Sequence, residues 1–283
     1  MLIDTHTHTT FHEYKNDADE VVRRALENDT WLVNIGTQYA TSEAAVATAD
    51  RFDEGVYAAV GIHPIHLVGD ITESATFDGK DYSFVTKTQT FDYEKMRRIA
   101  TSSSKVVAIG ETGLDYYRLG EQTVGDFRKI QEPVFRDSIR LAKELNLALV
   151  VHGRGEAERP YAIYDELISI VKEQGVARGV FHCFGGTLEQ AQKIVEMGLM
   201  IGVTGIVTFK KALELQEIVK TIPIEHLVIE TDAPFLAPEP YRGKRNEPSY
   251  VQYVAKKIAE IRGVSFEQVA EVTTVNARRL YII

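Results

Sequence analysis

The chain has 283 residues, 44% of them apolar, which suits one large α/β domain or two small ones. Its 32 basic and 41 acidic residues leave a net charge of −9, a field that repels nucleic acid and anionic membranes except at a local basic patch or at bound cations. A single cysteine, Cys183, excludes an intramolecular disulfide; no run approaches the ~20 apolar residues of a membrane span, and the N-terminus lacks the basic and apolar regions of a signal peptide. The expectation is a cytoplasmic, monomeric protein with no membrane or disulfide partner, folded as a single domain over residues 1–283.

Short apolar runs alternate with segments of helical spacing from end to end. Strands are predicted at Leu2–His8, Trp31–Gly36, Val56–Ile62, Val106–Glu111, Leu147–His152, Gly179–Cys183, Leu199–Thr204 and Leu227–Asp232. Capping boxes open helices at Asp17 with Glu20, Thr187 with Gln190, and Ser265 with Gln268, while Gly175, Gly198 and Gly263 fall where helices should stop. Strand and helix repeated in this way argue for a parallel sheet, and eight units fit the ~250 residues of a (β/α)8 TIM barrel. A doubly wound open sheet is the weaker alternative, because no G-x-G-x-x-G follows the first strand. Residues 66–91 interrupt the rhythm as a long polar insertion after the third strand, with Asp78-Gly79 marking a hairpin. They read equally as a tolerated insertion or as a flap over the site.

The ionisable residues gather at the C-terminal ends of the predicted strands, where a barrel of this kind builds its site. His6 and His8 end the first strand two residues apart, so both imidazoles can face one metal ion. His63 follows the third strand, Glu111 ends the fourth, His152 the fifth, His182 the sixth and Asp232 the eighth. Each alone reads as an ordinary strand-end residue or cap. Together on one rim, half-buried charges at that density repel unless cations neutralise them. Such a nitrogen and oxygen donor set suits two divalent ions among Zn, Mn, Mg, Co or Ni, less so Mg alone. Asp4 and Glu230 share the strand parity of the candidate ligands and are read as partners that orient imidazoles. His12 and His226 are placed away from the rim, His66 is expected to be exposed, and Cys183 is expected to be a buried inert thiol facing away from His182. Arg242, Lys244 and Arg245 form the clearest basic patch and, with Arg154, are candidates to hold phosphate oxygens.

With these residues assembled, the ordered set DTHTH, GIHP, GETGLDYY, HGR, HCFGG, ETDAP and RGKRNEPSYV resembles that of TatD-family metal-dependent hydrolases, within the amidohydrolase-like barrels. The resemblance spans nearly the whole chain. It implies one ion on His6, His8, Glu111 and Asp232, a second on Glu111, His152 and His182, and Glu111 as the bridge. It also implies a nucleic-acid or nucleotide substrate, with DNA first, since characterised relatives are described as metal-dependent deoxyribonucleases. Where the family often has HSR, this chain has His152-Gly153-Arg154; Ile65 rather than histidine follows the proline of the HP pair.

The expected mechanism is hydrolysis of a phosphodiester by a metal-activated water, with Asp232 orienting the water and accepting its proton, and Glu111 bridging the ions. His63, Arg154 and the basic loop would hold the phosphate. The alternatives are hydrolysis of an ester or amide bond, as in a D-aminoacyl-tRNA deacylase, and a non-catalytic metal-binding or docking protein.

Overall fold

The computed structural model describes residues 1–120 and 122–283. Its strands are β1 (Leu2–Thr7), β2 (Thr30–Ile35), β3 (Val56–Val60), β4 (Thr72–Phe77), β5 (Lys80–Val85), β6 (Val106–Asp115), β7 (Ala148–Arg154), β8 (Gly179–Phe181), β9 (Met200–Val203) and β10 (Leu227–Ile229). The helices are α1 (Ala18–Glu27), α2 (Tyr39–Asp50), α3 (Tyr93–Ala100), α4 (Val124–Glu144), α5 (Ala162–Glu173), α6 (Leu188–Glu196), α7 (Leu213–Thr221), α8 (Val251–Arg262) and α9 (Phe266–Tyr281). Eight strands pair in parallel in the order β1-β2-β3-β6-β7-β8-β9-β10. The ends meet through Asp232 N donating to His6 O at 2.9 Å and His8 N donating to Ala233 O at 2.8 Å. The expected (β/α)8 barrel is thus present. Its later strands are shorter than the apolar runs: β8 stops at Phe181 and β10 at Ile229, ahead of the polar residues that follow them.

Two packed layers explain the run of apolar residues. Ile3, Val33, Val150, Val180 and Val228 fill the barrel interior together with Ala277, Leu280 and Tyr281 of α9. Helix α9 therefore plugs the N-terminal end, anchored by Thr274 Oγ1 donating to Met1 O at 3.1 Å and by Tyr281 OH donating to Thr5 O at 3.0 Å. The larger cluster, with Leu32, Val60, Ile109, Phe135 and Leu149, lies between the strands and the surrounding helices. With one end sealed by apolar side chains, the opposite rim is left to the polar ones.

Capping follows the sequence at α6 and α9, where Thr187 with Gln190 and Ser265 with Gln268 satisfy each other's backbone N–H groups. It does not at α1. Asp17 makes no side-chain cap, because Arg245 takes its carboxylate at 2.8 and 2.5 Å. Gly263 adopts the left-handed φ of +66° that ends α8.

The insertion after β3 is an ordered antiparallel hairpin, with Thr72 opposite Val85 and Phe77 opposite Lys80. Asp78 and Gly79 supply its two positive φ values, 51° and 70°, as a two-residue turn needs. His66 is not exposed as expected. It lies in a short 3-10 turn, 6% accessible, and Gln89 N closes over it by donating to its carbonyl at 2.6 Å. Among the described residues, no helix is long and apolar enough to cross a membrane.

Candidate metal centre and its cleft

The rim residues converge. His6 Nε2 and His8 Nε2 lie 3.2 Å apart, and Asp232 Oδ1 stands 3.3 Å from His8 Nε2 and 3.7 Å from His6 Nε2. Glu111 turns one oxygen to each side. Its Oε2 is 3.2 Å from His6 Nε2 and 3.6 Å from His8 Nε2, while its Oε1 is 2.9 Å from His152 Nδ1 and 3.0 Å from His182 Nε2. Around a divalent ion at about 2.1 Å, neighbouring ligand atoms stand roughly 3.0–3.4 Å apart in octahedral to tetrahedral geometry, so these spacings suit shared coordination.

The hydrogen bonds behind the imidazoles decide which nitrogens are free to bind. His8 Nδ1 must donate to Ile35 O at 3.0 Å, since a carbonyl only accepts, and its Nε2 is left as a lone pair. His152 Nε2 faces Asp115 Oδ2 at 3.1 Å, which leaves Nδ1 bare toward Glu111 and His182. His182 Nδ1 and His6 Nδ1 have no hydrogen-bond partner among the described residues; the nearest acceptor to His182 Nδ1 is Glu230 Oε1 at 3.7 Å. The His6 and His182 rings stack at 3.9 Å. Donor atoms close enough for an ion group as His6, His8 and Asp232; as His6, His182 and Glu230; and as His63, Glu111 and His152. His63 is the exception to ligation. Its Nδ1 accepts from Ile65 N at 3.0 Å, so the neutral ring carries its proton on Nε2, 3.4 Å from Glu111 Oε1. Burial, helped by His152, pushes the His63 pKa down to about 3 and keeps that ring neutral.

Burial works to raise the Glu111 carboxyl, but His182, His63 and His152 overcome it and hold the group well below the ordinary range. Asp232 behaves likewise: burial opposes ionisation and His8 and His6 restore it. The carboxylates are therefore anions in a buried cluster that demands positive charge, as expected from the sequence. Backbone irregularities aim them. The register of β6 against β7 shifts between Ile109 and Thr112, where Glu111 sits. At Gly113 (φ +148°) a Cβ would stand 2.1 Å from His152 O, so only glycine lets the two strands come this close.

Above the cluster opens a cleft of about 1210 Å³. His8, His63, Glu111, His152, Arg154, His182 and Asp232 line it, and His6 lies fully buried beneath. Several expected placements differ. Asp4 orients no imidazole; it accepts from Thr231 N at 2.9 Å and Thr231 Oγ1 at 2.6 Å. The β1 register shifts between Asp4 and Thr7, so parity counted from Asp4 does not carry through to His6. Glu230 does sit beside His182, and it also accepts from Cys183 N at 2.5 Å; Gly202 makes room for its carboxylate. Cys183 does not face away, because β8 has already ended and a φ of +43° turns it into the cleft; burial keeps its thiol well above the usual range. His12 also lines the cleft rather than lying away from the rim, whereas His226 binds Leu199 O at 3.0 Å as a cap.

The basic loop is not at the cleft. Arg245 is consumed by Asp17, Glu13 O and the Tyr14 ring, Lys244 pairs with Asp78 at 3.1 Å, and Arg242 lies over Phe209 at 4.4 Å. Arg154 is at the cleft, 3.7 Å above the Tyr117 ring. Asp115, the partner of His152, was missed by sequence reasoning. Its signal was its place in GETGLDYY, four residues beyond Glu111 on one strand.

The comparisons agree with this geometry. The family model for TatD related DNase matches residues 3–282. An uncharacterised metal-dependent hydrolase, YabD of Bacillus subtilis, is 40% identical over 286 residues, covering 100% of both chains. A protein of Cronobacter sakazakii named 3'-5' ssDNA/RNA exonuclease TatD is 31% identical over 288 residues, covering 99% of this chain and 98% of its own. The crystal structure of the TatD homologue YJJV of Escherichia coli superposes with a TM-score of 0.82 at 26% identity, covering 100% of this chain and 98% of that one. A sealed barrel with this donor cluster at its open rim, matched over nearly its whole length, belongs to the TatD family of metal-dependent hydrolases.

Proposed function

We propose that this chain is a phosphodiesterase of single-stranded nucleic acid, DNA first, that works with two divalent ions. The observation that carries this reading is Glu111, whose Oε2 faces His6 and His8 while its Oε1 faces His152 and His182. One carboxylate between two donor sets is the arrangement a bridged pair of ions needs. One ion would rest on His6, His8, Glu111 and Asp232, the other on Glu111, His152 and His182. When bound, such ions lower the pKa of a coordinated water toward neutrality and draw charge from the phosphoryl oxygens.

The chain's own groups do the rest. Asp232 lines the cleft and holds the water in line with phosphorus, then accepts its proton. His63 presents an Nε2–H that stabilises a phosphoryl oxygen as charge develops. Arg154, braced on Tyr117, holds the phosphate at the mouth. Glu230 and Asp115 keep His182 and His152 in their binding tautomers. The name of the Cronobacter relative supports the nucleic-acid class. The chain acts as a single domain and a monomer in this reading.

Metal analysis of the purified protein should find two equivalents of divalent ion. With added Mn, single-stranded DNA should be cleaved and a chromogenic carboxylic ester should not. One equivalent of metal, or faster turnover of the ester, would overturn the proposal.

A further inference from the structure

The β4–β5 hairpin leaves the barrel next to β3 and ends on the loop that follows β10. Asp78 N donates to Gly243 O at 3.0 Å, Arg245 N donates to Asp78 Oδ2 at 3.3 Å, and Lys244 Nζ pairs with Asp78 Oδ1 at 3.1 Å. Phe77 is buried against Phe235, ring centres 5.8 Å apart. The hairpin is therefore tied at both ends, covalently at its root and by three polar contacts and a ring pair at its tip. Ser74, Ala75 and Tyr82 of the hairpin line the cleft.

The walls beneath it differ in chemistry. From the metal centre, ring follows ring: His8 to Phe11 at 4.4 Å, Phe11 to Phe235 at 6.3 Å, Phe235 to Phe77 at 5.8 Å, and Phe77 to Tyr82 at 5.7 Å. Phe11, Phe235 and Tyr82 face the cleft. In the barrel order, the β10 and β1 side that carries Phe11 and Phe235 lies across from the β6 and β7 side, which carries Tyr117, Arg118 and Arg154. Glu13 and Glu156 also border the opening. Aromatic faces on one side and guanidinium groups on the other suit an unpaired strand, its bases stacked and its phosphates on the cations. A duplex cannot offer base faces, since its own stacking occupies them.

We infer that the β4–β5 hairpin is a fixed arch over the cleft that admits a nucleic-acid strand only by an unpaired end, with Tyr82 stacking a base of that strand. This rests on the phosphodiesterase reading. A strand tied into a circle has no end to pass beneath an arch held on both sides. The arch makes strand ends, rather than base sequence, the feature selected.

The test uses the Mn-loaded full chain on three substrates: bis(p-nitrophenyl) phosphate, a linear single-stranded oligonucleotide, and the same oligonucleotide circularised. The wild-type protein should hydrolyse the small diester and the linear strand, and cleave the circle at least 100-fold more slowly than the line. Replacing residues 73–84 by Asn-Gly joins positions already paired across the hairpin and should bring the circle-to-line ratio close to one. Tyr82→Ala should raise KM for the linear strand roughly tenfold with kcat retained, within the range for a lost base stack, and Tyr82→Phe should restore it. Equal wild-type rates on circle and line, or an unchanged KM in Tyr82→Ala, would overturn the arch while hydrolysis of the small diester upholds the phosphodiesterase. Failure of the wild type on the small diester and on both strands would overturn the phosphodiesterase and the arch with it.

Discussion

Asp115 Oδ2 stands 3.1 Å from His152 Nε2, behind the ring whose other nitrogen faces Glu111 Oε1 at 2.9 Å. The carboxylate thus fixes the tautomer in which Nδ1 is free to bind. Asp115→Leu removes the acceptor, and the ring loses its preference between tautomers. Affinity for the second equivalent of metal should fall about 10–100-fold, with the first little changed. Asp115→Asn retains an oxygen that can accept and should lie between. Calorimetric titration of metal into stripped protein reads both steps; identical isotherms for Leu and wild type would count against this role.

Asp232 differs from the other cluster residues because it is exposed enough to reach a water as well as an ion, at 16% of its side chain. Asp232→Asn keeps the shape and removes the base. Hydrolysis of single-stranded DNA should fall by about 10²–10⁴-fold with the melting temperature close to wild type. Near wild-type turnover in that variant would rule out the assignment.

Arg245 reads from the sequence as a phosphate contact, and the structure gives it another task. Its guanidinium beside Asp17 holds that carboxyl below the usual range. The folded pKa is depressed, so the pair's stabilisation is complete above the unfolded value of ~3.9 and is lost as pH falls through the lower folded value. Arg245→Met should cost about 1–2 kcal/mol at pH 7, and the difference from wild type should vanish in acid. Urea denaturation at pH 7 and at pH 3 measures both ends. If Arg245 instead touched substrate, the variant would lose activity without losing stability.

How much of this was legible in the residues can be argued position by position. Strand and helix alternation follows from local apolar spacing, and local spacing was enough for the barrel, the capping boxes at Thr187 and Ser265, and the Asp78-Gly79 turn. The rim histidines and acids were legible too, because polar groups at the ends of buried strands have few other reasons to be there. Counting parity along a strand failed at Asp4 and at Cys183. Side-chain alternation holds only while the ladder is regular; β1 shifts register after Asp4, and β8 has ended before Cys183.

The sequence alone therefore determined the architecture and the membership of the ligand set, since both rest on patterns within a few residues of one another. Only the tertiary structure decided which oxygen of Glu111 serves which side, that Asp115 backs His152, and that the 66–91 segment crosses the cleft as a hairpin. It also decided that Arg245 is bound by Asp17, a partner 228 positions away. Charges so far apart in the chain meet only when the sheet closes, and no local pattern records which of several acids a given cation will reach.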